Sequence, residues 1–570
     1  MDSEPGAKTT LDTVPGSQHQ SEEDEEGSGN HTEPEPVVLW ITSGRHLTSG
    51  LFGLNIVLLG AALVAGQAFN PQGLAHQEPQ IFMLLLMGFS LVWMLWYLLW
   101  ARRKPGVILH KDHHAGGITV TVVLMLFAAF SLLLHIIKIG YYFMMKDCQP
   151  AVNVFAPFIE VPFLGLQTYL LWAHSKDCIH KHKIITRSGL MVILSADLLL
   201  WLNAVTEDSI HLEIEMEKEE NENLNNSSDT VKTPESAGLV NQTLCECSAD
   251  KMCLILRKGY EVLYPFNMEY YLMAGCMLYV MWKNVGRRIA PGAVPHQAQK
   301  LTLRIVRQGG ILFGPLFGAL VLIAGVVVFI LYQFWVNHRQ QRPMAFLLFY
   351  CYHLVVMPIM SLCSLAGMLI QKLERRAKET GHNPTRSLDV TLLVGAGLGK
   401  LTLSYFSLVA ALAVGPSEYL GRLDLSYSVL CLIELLLQNV FIIEGLHRHP
   451  SLAKAKRKVR KDMDKMKEIQ GMVLLDRGET SAPPDKPAGD DGTTTWYKTA
   501  TQEICAFLIF SNIMLWIIPA FGAHPQFENG LGKEFFGFSA WFVLVNLGQP
   551  LGVFYRMHSV GALMELLITA

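Results

Sequence analysis

At 570 residues the chain is long enough for several soluble domains, but 51% of it is hydrophobic and 17% charged, which excludes a sum of such domains. The formal net charge of −3 carries little weight here, because the placement of Lys and Arg among the loops decides orientation in a membrane, and no nucleic-acid partner is expected. The apolar residues come in blocks long enough to cross a hydrocarbon core of roughly 30 Å. Six of them are Leu51–Phe69, Ile81–Trp100, Ile118–Ile137, Val152–Trp172, Ser188–Val205 and Phe266–Trp282. Six more are Gly309–Phe334, Met344–Ile370, Leu388–Val414, Leu425–Leu446, Ile504–Phe521 and Phe535–Tyr555. The predicted fold class is an all-α polytopic membrane protein with twelve transmembrane helices in two pseudo-repeated six-helix bundles.

The expected order begins with a disordered tail over 1–45, in which no apolar period is found and no cleavable signal peptide is expected. An N-terminal half over 46–290, a linker over 291–308 and a C-terminal half over 309–570 follow. Cations cluster after every second span: Arg102, Arg103 and Lys104, then Lys176, Lys181 and Lys183, then Lys283, Arg287 and Arg288. Lys372, Arg375 and Arg376 follow the eighth span, and a run from Lys454 to Lys461 follows the tenth. Both termini are therefore expected to be cytoplasmic. The loop 447–495 is expected to hold an amphipathic basic helix and then a disordered stretch. The acidic loop 206–258 is expected outside, where its sequons at Asn226 and Asn241 can be glycosylated. Cys148, Cys245, Cys247 and Cys253 fall in outside loops, which allows up to two disulfides in one of three pairings.

A polar side chain at membrane depth is costly, so those within the spans are the candidates for function. His135 and Lys138 share a face of the third span, where Lys138 is read as snorkelling to the interface. Glu160, Gln167 and His174 repeat every seven residues along the fourth, a stripe that either bonds neighbouring helices or forms a polar ladder. Asp197 lies within the fifth span and Glu269 near one end of the sixth. Gly310, Gly314 and Gly318 give the seventh a flat packing face. Lys400, in a glycine-rich run that fails the phosphate-loop spacing, is an intramembrane cation wanting a partner. Glu434 and Gln438 mark the tenth span, Asn512 the eleventh, and Asn546, Gln549 and Tyr555 the twelfth. Aligning the fourth to sixth spans with the tenth to twelfth pairs Gln167 with Gln438, Asp197 with Asn512 and Tyr279 with Tyr555. Their shared order predicts a duplicated unit.

Side chains of this kind relay protons when water bridges them, but they make a poor filter for hydrated Na⁺ or K⁺, which needs rings of carbonyls or fixed charges. A proton-coupled secondary transporter fits the same residues. A remoter alternative, a membrane di-iron oxidoreductase, rests on the single histidine box HKDHH at His110, where several boxes are required. No cofactor and no catalytic residue are expected.

Motifs along nearly the whole membrane region resemble one family. DHHAG at Asp112, KIGYY at Lys138, AHSKDC at Ala173, LYPFNMEY at Leu263 and MWKNVGR at Met281 belong to the first half. NPTRSLDV at Asn383, IIEGLHR at Ile442, PAFGAHPQFENG at Pro519 and FYRMHSVG at Phe554 belong to the second. The chain resembles the otopetrin proton channels. That resemblance implies a plasma-membrane homodimer with sterol between its bundles, opened by extracellular acid and selective for protons. It also implies constriction triads at Gln167, Asp197 and Tyr279 and at Gln438, Asn512 and Tyr555. Asp197 stands where some members carry Asn. Glu160, Glu269, Glu434 and His524 are the candidates for gating or proton entry, and His524 is also a candidate for modulation by zinc.

Overall fold

The structure is a computed structural model that describes residues 44–69, 77–104, 108–111, 118–144, 151–225, 251–286, 311–336, 338, 340–373, 384–414, 419–447, 490–523, 525 and 530–569. The first helices are α1 (Gly44–Phe69), α2 (Glu78–Trp96, continued by a wider π-helical turn Tyr97–Ala101), α3 (Ile118–Met144) and α4 (Ala151–His174). They are followed by α5 (Lys183–Asn225), α6 (Lys251–Asn284), α7 (Phe313–Val336) and α8 (Arg342–Leu373). The last are α9 (Pro384–Val414), α10 (Tyr419–Leu446), α11 (Asp490–Ala520) and α12 (Phe538–Thr569), with a short helical turn Leu531–Phe536 before α12. The predicted tail up to residue 43, the basic run after Lys454, both sequons, Asp112, His113 and His114 of the histidine box, Gly310, His524, Cys148, Cys245 and Cys247 lie outside the described residues.

Among the described residues eleven helices are long and apolar enough to cross a membrane. The remaining expected span, Phe266–Trp282, lies within α6, which is helical over 34 residues but is not one of those eleven. Its Tyr, Asn and Glu side chains dilute its hydropathy, and the packing explains why that is tolerated. Tyr270, Ala274, Leu278 and Met281 are fully buried, so α6 is enclosed by other helices instead of facing lipid. Elsewhere Leu58, Phe89, Val92, Ile136, Leu320 and Val355 are exposed, as side chains that meet acyl chains should be. The expected loop 206–258 is a loop only in part: α5 runs on as helix to Asn225 and α6 starts at Lys251. The Glu, Lys, Met and Leu residues after Val205 are strong helix formers, which is enough to prolong a helix already nucleated in the span.

The helices pack in sequence-local sets. In the first, α2 lies on α4 and α5, and α3 on α4 and α6, with α5 against α6. In the second, α7 lies on α8 and α11, α8 on α10 and α11, and α9 on α10 and α12, with α11 against α12. The sets meet where α12 touches α3, α5 and α6 and where α9 touches α6. Aromatic rings line this seam: Trp516 of α11 lies 6.1 Å from Phe127 and 5.6 Å from Phe266, and Phe521 lies 5.7 Å from Phe266. The largest buried cluster runs from Met83 to Leu566 and so draws on both sets. At one end of the first set, β1 (Ile108–Lys111) pairs antiparallel with β2 (Asp177–Ile179). Gly286 at φ 84° donates its N–H to the Ile179 carbonyl at 2.8 Å, a backbone conformation that a side chain would strain.

The flat glycine face of α7 is realised against α11. A Cβ on Gly318 would meet the Phe510 ring, and one on Gly314 would fall 2.1 Å from the Glu503 carbonyl oxygen. The Glu503 carboxylate accepts the N–H groups of Leu312, at 2.7 Å, and Gly314, so it caps the start of α7 from the neighbouring helix. Gly314→Val must push α7 off backbone, which no rotamer change relieves. The expected result is a melting temperature well below that of the wild type, or no folded protein, by size-exclusion-monitored thermal unfolding; Gly88→Val, where a Cβ meets nothing within 4 Å, should melt as the wild type does.

Candidate functional site

Where α10, α11 and α12 meet, five polar side chains are closed off from solvent. Gln438 and Asn512 form a reciprocal amide pair: Asn512 Nδ2 donates to Gln438 Oε1 at 2.8 Å, and Gln438 Nε2 donates to Asn512 Oδ1 at 3.2 Å. Gln438 Nε2 also reaches the Tyr555 hydroxyl at 3.3 Å, so the predicted triad is one hydrogen-bonded unit. Gln438, Asn512 and Tyr555 are all at 0% exposure, as is Glu434 one turn earlier on α10. Arg556, the residue after Tyr555, joins them. Its two terminal nitrogens each donate at 2.7 Å to one oxygen of Glu434, a bidentate fork, and Nη1 donates a third bond to Asn512 Oδ1 at 3.1 Å. The sequence marks Glu434 without naming its partner. A signal for that partner exists: a carboxylate at that depth requires a cation, and Arg556 directly follows Tyr555.

The corresponding place between α4 and α5 is less saturated. Gln167 Nε2 donates to Asp197 Oδ2 at 2.5 Å, and both side chains are fully buried. Gln167 Oε1 and Asp197 Oδ1 have no hydrogen-bond partner in the structure. Tyr279 is not joined to them; it is half-buried and stacks on Trp282 with ring centroids 5.6 Å apart. Thus the structure assembles the second triad in full and two members of the first. Nearby, Thr168 and Tyr270 share a hydroxyl contact of 2.9 Å that the sequence did not single out.

The stripe on α4 faces inward along its length, but each rung bonds a different partner. Glu160 takes Lys138 Nζ at 3.0 and 3.2 Å, Gln167 takes Asp197, and His174 Nδ1 lies 3.1 Å from Asp177 Oδ2. Lys138 is therefore ion-paired instead of snorkelling, because a carboxylate one helix away outcompetes the interface. His135 Nδ1 sits 3.0 Å from the same Glu160 oxygen, though its ring is not oriented to complete a hydrogen bond. Glu269 is 3% exposed at the seam between the two helix sets, facing the Trp516 indole, and its Oε2 has no partner. Lys400 finds the Tyr427 hydroxyl at 3.4 Å and stands over the Tyr427 ring. It shares a cavity with Arg556, His353 and Gln549 whose room, about 40 Å³, is that of a few waters at roughly 10–15 Å³ each. Cys253 is disulfide-bonded, and Cys178, Cys276, Cys351, Cys363, Cys431 and Cys505 are free thiols. Among the described residues no three His, Cys, Asp or Glu side chains gather where a metal ion could be held.

Long apolar helices that bury amides, carboxylates and a guanidinium where they cross define a polytopic membrane protein with polar helix crossings. The chain matches the otopetrin family profile over residues 121–462 and 493–557, and it belongs to that family. It is 41% identical over 525 residues to the human protein "Proton channel OTOP3", covering 92% of this chain and 85% of that one. It is 37% identical over 557 residues to the mouse "Proton channel OTOP2", with 94% and 96% covered, and 31% identical over 557 residues to the mouse "Proton channel OTOP1", with 91% and 89% covered.

The Glu434–Arg556 fork generates a stability prediction. Removing one partner strands the other charge, which costs about 3–5 kcal/mol, whereas replacing both with apolar groups of similar size is often neutral. Glu434→Leu should lower the melting temperature of the purified protein more than Glu434→Leu with Arg556→Met does. Equal loss in both variants would mean that the fork is not the source of the effect.

Proposed function

We propose that this chain is a proton-selective channel of the plasma membrane, opened by extracellular acid and passing protons down their electrochemical gradient. The observation that carries the reading is the burial of Gln167 with Asp197 and of Gln438 with Asn512 and Tyr555 at corresponding helix crossings. Amide, hydroxyl and carboxyl groups both donate and accept, as a water-bridged relay needs, and none offers the ring of ligands that would strip a metal cation of its hydration shell. The names of the relatives, all proton channels, support the same choice of ion.

In this reading residues 46–290 and 309–570 are the two halves, and each contributes one constriction between its fourth and fifth helices. The cation-rich loops support cytoplasmic termini and, with them, an outside position for Asn226 and Asn241 as glycan carriers. Glu160 and Glu269 gate or admit protons from the outer side with His524, and Glu434, locked to Arg556, sets the charge at the second constriction. The channel assembles as a homodimer with sterol against its bundles, and zinc acts on it from outside through His524.

Three outcomes follow from these roles. In whole-cell recordings during external acidification, the reversal potential should move by about 59 mV per unit of pH difference, the slope for a single transferred charge per tenfold gradient. A current that tracks sodium, potassium or chloride contradicts the reading, and one that needs a co-transported solute favours a proton-coupled transporter. Gln167→Leu combined with Gln438→Leu should cut the acid-evoked current by about tenfold or more at unchanged surface expression, since each 1.4 kcal/mol added to a barrier is a factor of about ten. Intact currents would put the relay elsewhere. His524→Ala should abolish the response to external zinc; unchanged zinc sensitivity removes His524 from that role.

A further inference from the structure

The end of α2 and the second half of α4 flank a groove of about 570 Å³ that the constrictions do not use. Its walls are Leu95, Leu99 and Leu166 with Tyr169, and its rim carries Arg102 and Arg103. The π-helical turn Tyr97–Ala101 shapes it. The Arg102 N–H bonds back five residues to the Tyr97 carbonyl at 3.1 Å, and this wider turn brings the two arginines and the leucines before them to one opening. On the opposite wall Leu166 and Tyr169 lie one turn apart on α4. Lys104 is committed to the Trp100 ring, with Nζ 3.4 Å from its centroid, whereas Arg102 and Arg103 are exposed and form no ion pair among the described residues.

We propose that this groove binds one anionic glycerophospholipid, with an acyl chain along the leucines and headgroup phosphate held by Arg102 and Arg103. Each part of the site selects for such a molecule. The leucine walls, with Leu95 and Leu99 exposed, face the depth at which acyl chains lie, so a soluble anion would leave most of the groove unused. Two guanidiniums at the rim match phosphate oxygens in planar, paired geometry, and a sterol hydroxyl has no use for them. Basic pockets between membrane helices at a positively charged loop are a recurrent place for phosphorylated headgroups, and binding tightens with each phosphate the headgroup carries. The inference does not depend on which ion the protein conducts.

The test is native mass spectrometry of the full-length protein released from detergent micelles, titrated with phosphatidylinositol bisphosphate and, separately, phosphatidylcholine, cholesterol and soluble inositol trisphosphate. The tightest adduct should be the phosphoinositide. Arg102→Gln with Arg103→Gln should weaken it by about 30-fold, the sum of two charges near a headgroup, and Arg102→Lys with Arg103→Lys should restore part of the loss. Leu99→Trp, at an exposed wall position, narrows the groove without touching the arginines and should abolish the adduct while the melting temperature stays at the wild-type value. Wild-type binding in either the glutamine or the tryptophan variant overturns the proposal. So does displacement at comparable concentration by phosphatidylcholine, cholesterol or inositol trisphosphate, which would make the site an unselective apolar surface or a soluble-anion site.

Discussion

A carboxylate and a guanidinium inside a membrane protein tolerate almost no error in placement, and Glu434 with Arg556 is the pair on which the crossing of α10, α11 and α12 depends. The fork fixes α12 to α10, and its third bond reaches Asn512, which ties α11 to both. Gln438, one turn from Glu434, is thereby held where it exchanges two hydrogen bonds with Asn512 and one with Tyr555. A loose side chain could not keep that geometry. Buried polar networks are rigid only when every member is satisfied, and here the charge pair supplies the rigidity.

The crossing of α4 and α5 solves the same problem differently. Among the described residues no cation pairs with Asp197, which takes one short bond from Gln167, so an oxygen on each side chain is left as an unpaired acceptor in a buried interior. Glu269 at the seam is in the same position. Unsatisfied buried acceptors are expensive in a part of the protein that serves structure alone, and they are where a proton or a water can be taken up at least cost to the surroundings. The two helix sets thus combine one saturated crossing, anchored by an ion pair, with one acidic crossing whose acceptors are not all used. Asp197 in place of an amide is what makes the difference.

Much of this is legible in the sequence, for identifiable reasons. Apolar block length shows the helices, because lipid leaves the backbone no other way to satisfy its hydrogen bonds. The aligned polar positions bring Gln167 together with Asp197 and Gln438 with Asn512 and Tyr555, since a polar residue in a span is rare enough to mark its own place. Partners across helices are not legible. Arg556 attracts no notice beside Tyr555, and Lys138 reads as an interface residue although Glu160, 22 residues later, is its partner. Tyr279 aligns in order with Tyr555, yet its ring turns to Trp282, because register along a helix does not fix rotation about its axis. The helical extension of α5 is hidden because the end of hydrophobicity is not the end of the helix.

The claim at the centre is that buried side chains in these crossings carry protons, unaided by another solute, from one side of the membrane to the other. The most direct measurement is proton flux into vesicles that contain the purified protein and an entrapped pH-sensitive dye, driven by a pH gradient in a medium of impermeant buffer ions with the membrane potential clamped by a potassium ionophore. The account predicts acidification of the lumen at a rate proportional to protein content. Lumen pH that holds steady until a second solute is added, or that changes equally in vesicles lacking the protein, would contradict it.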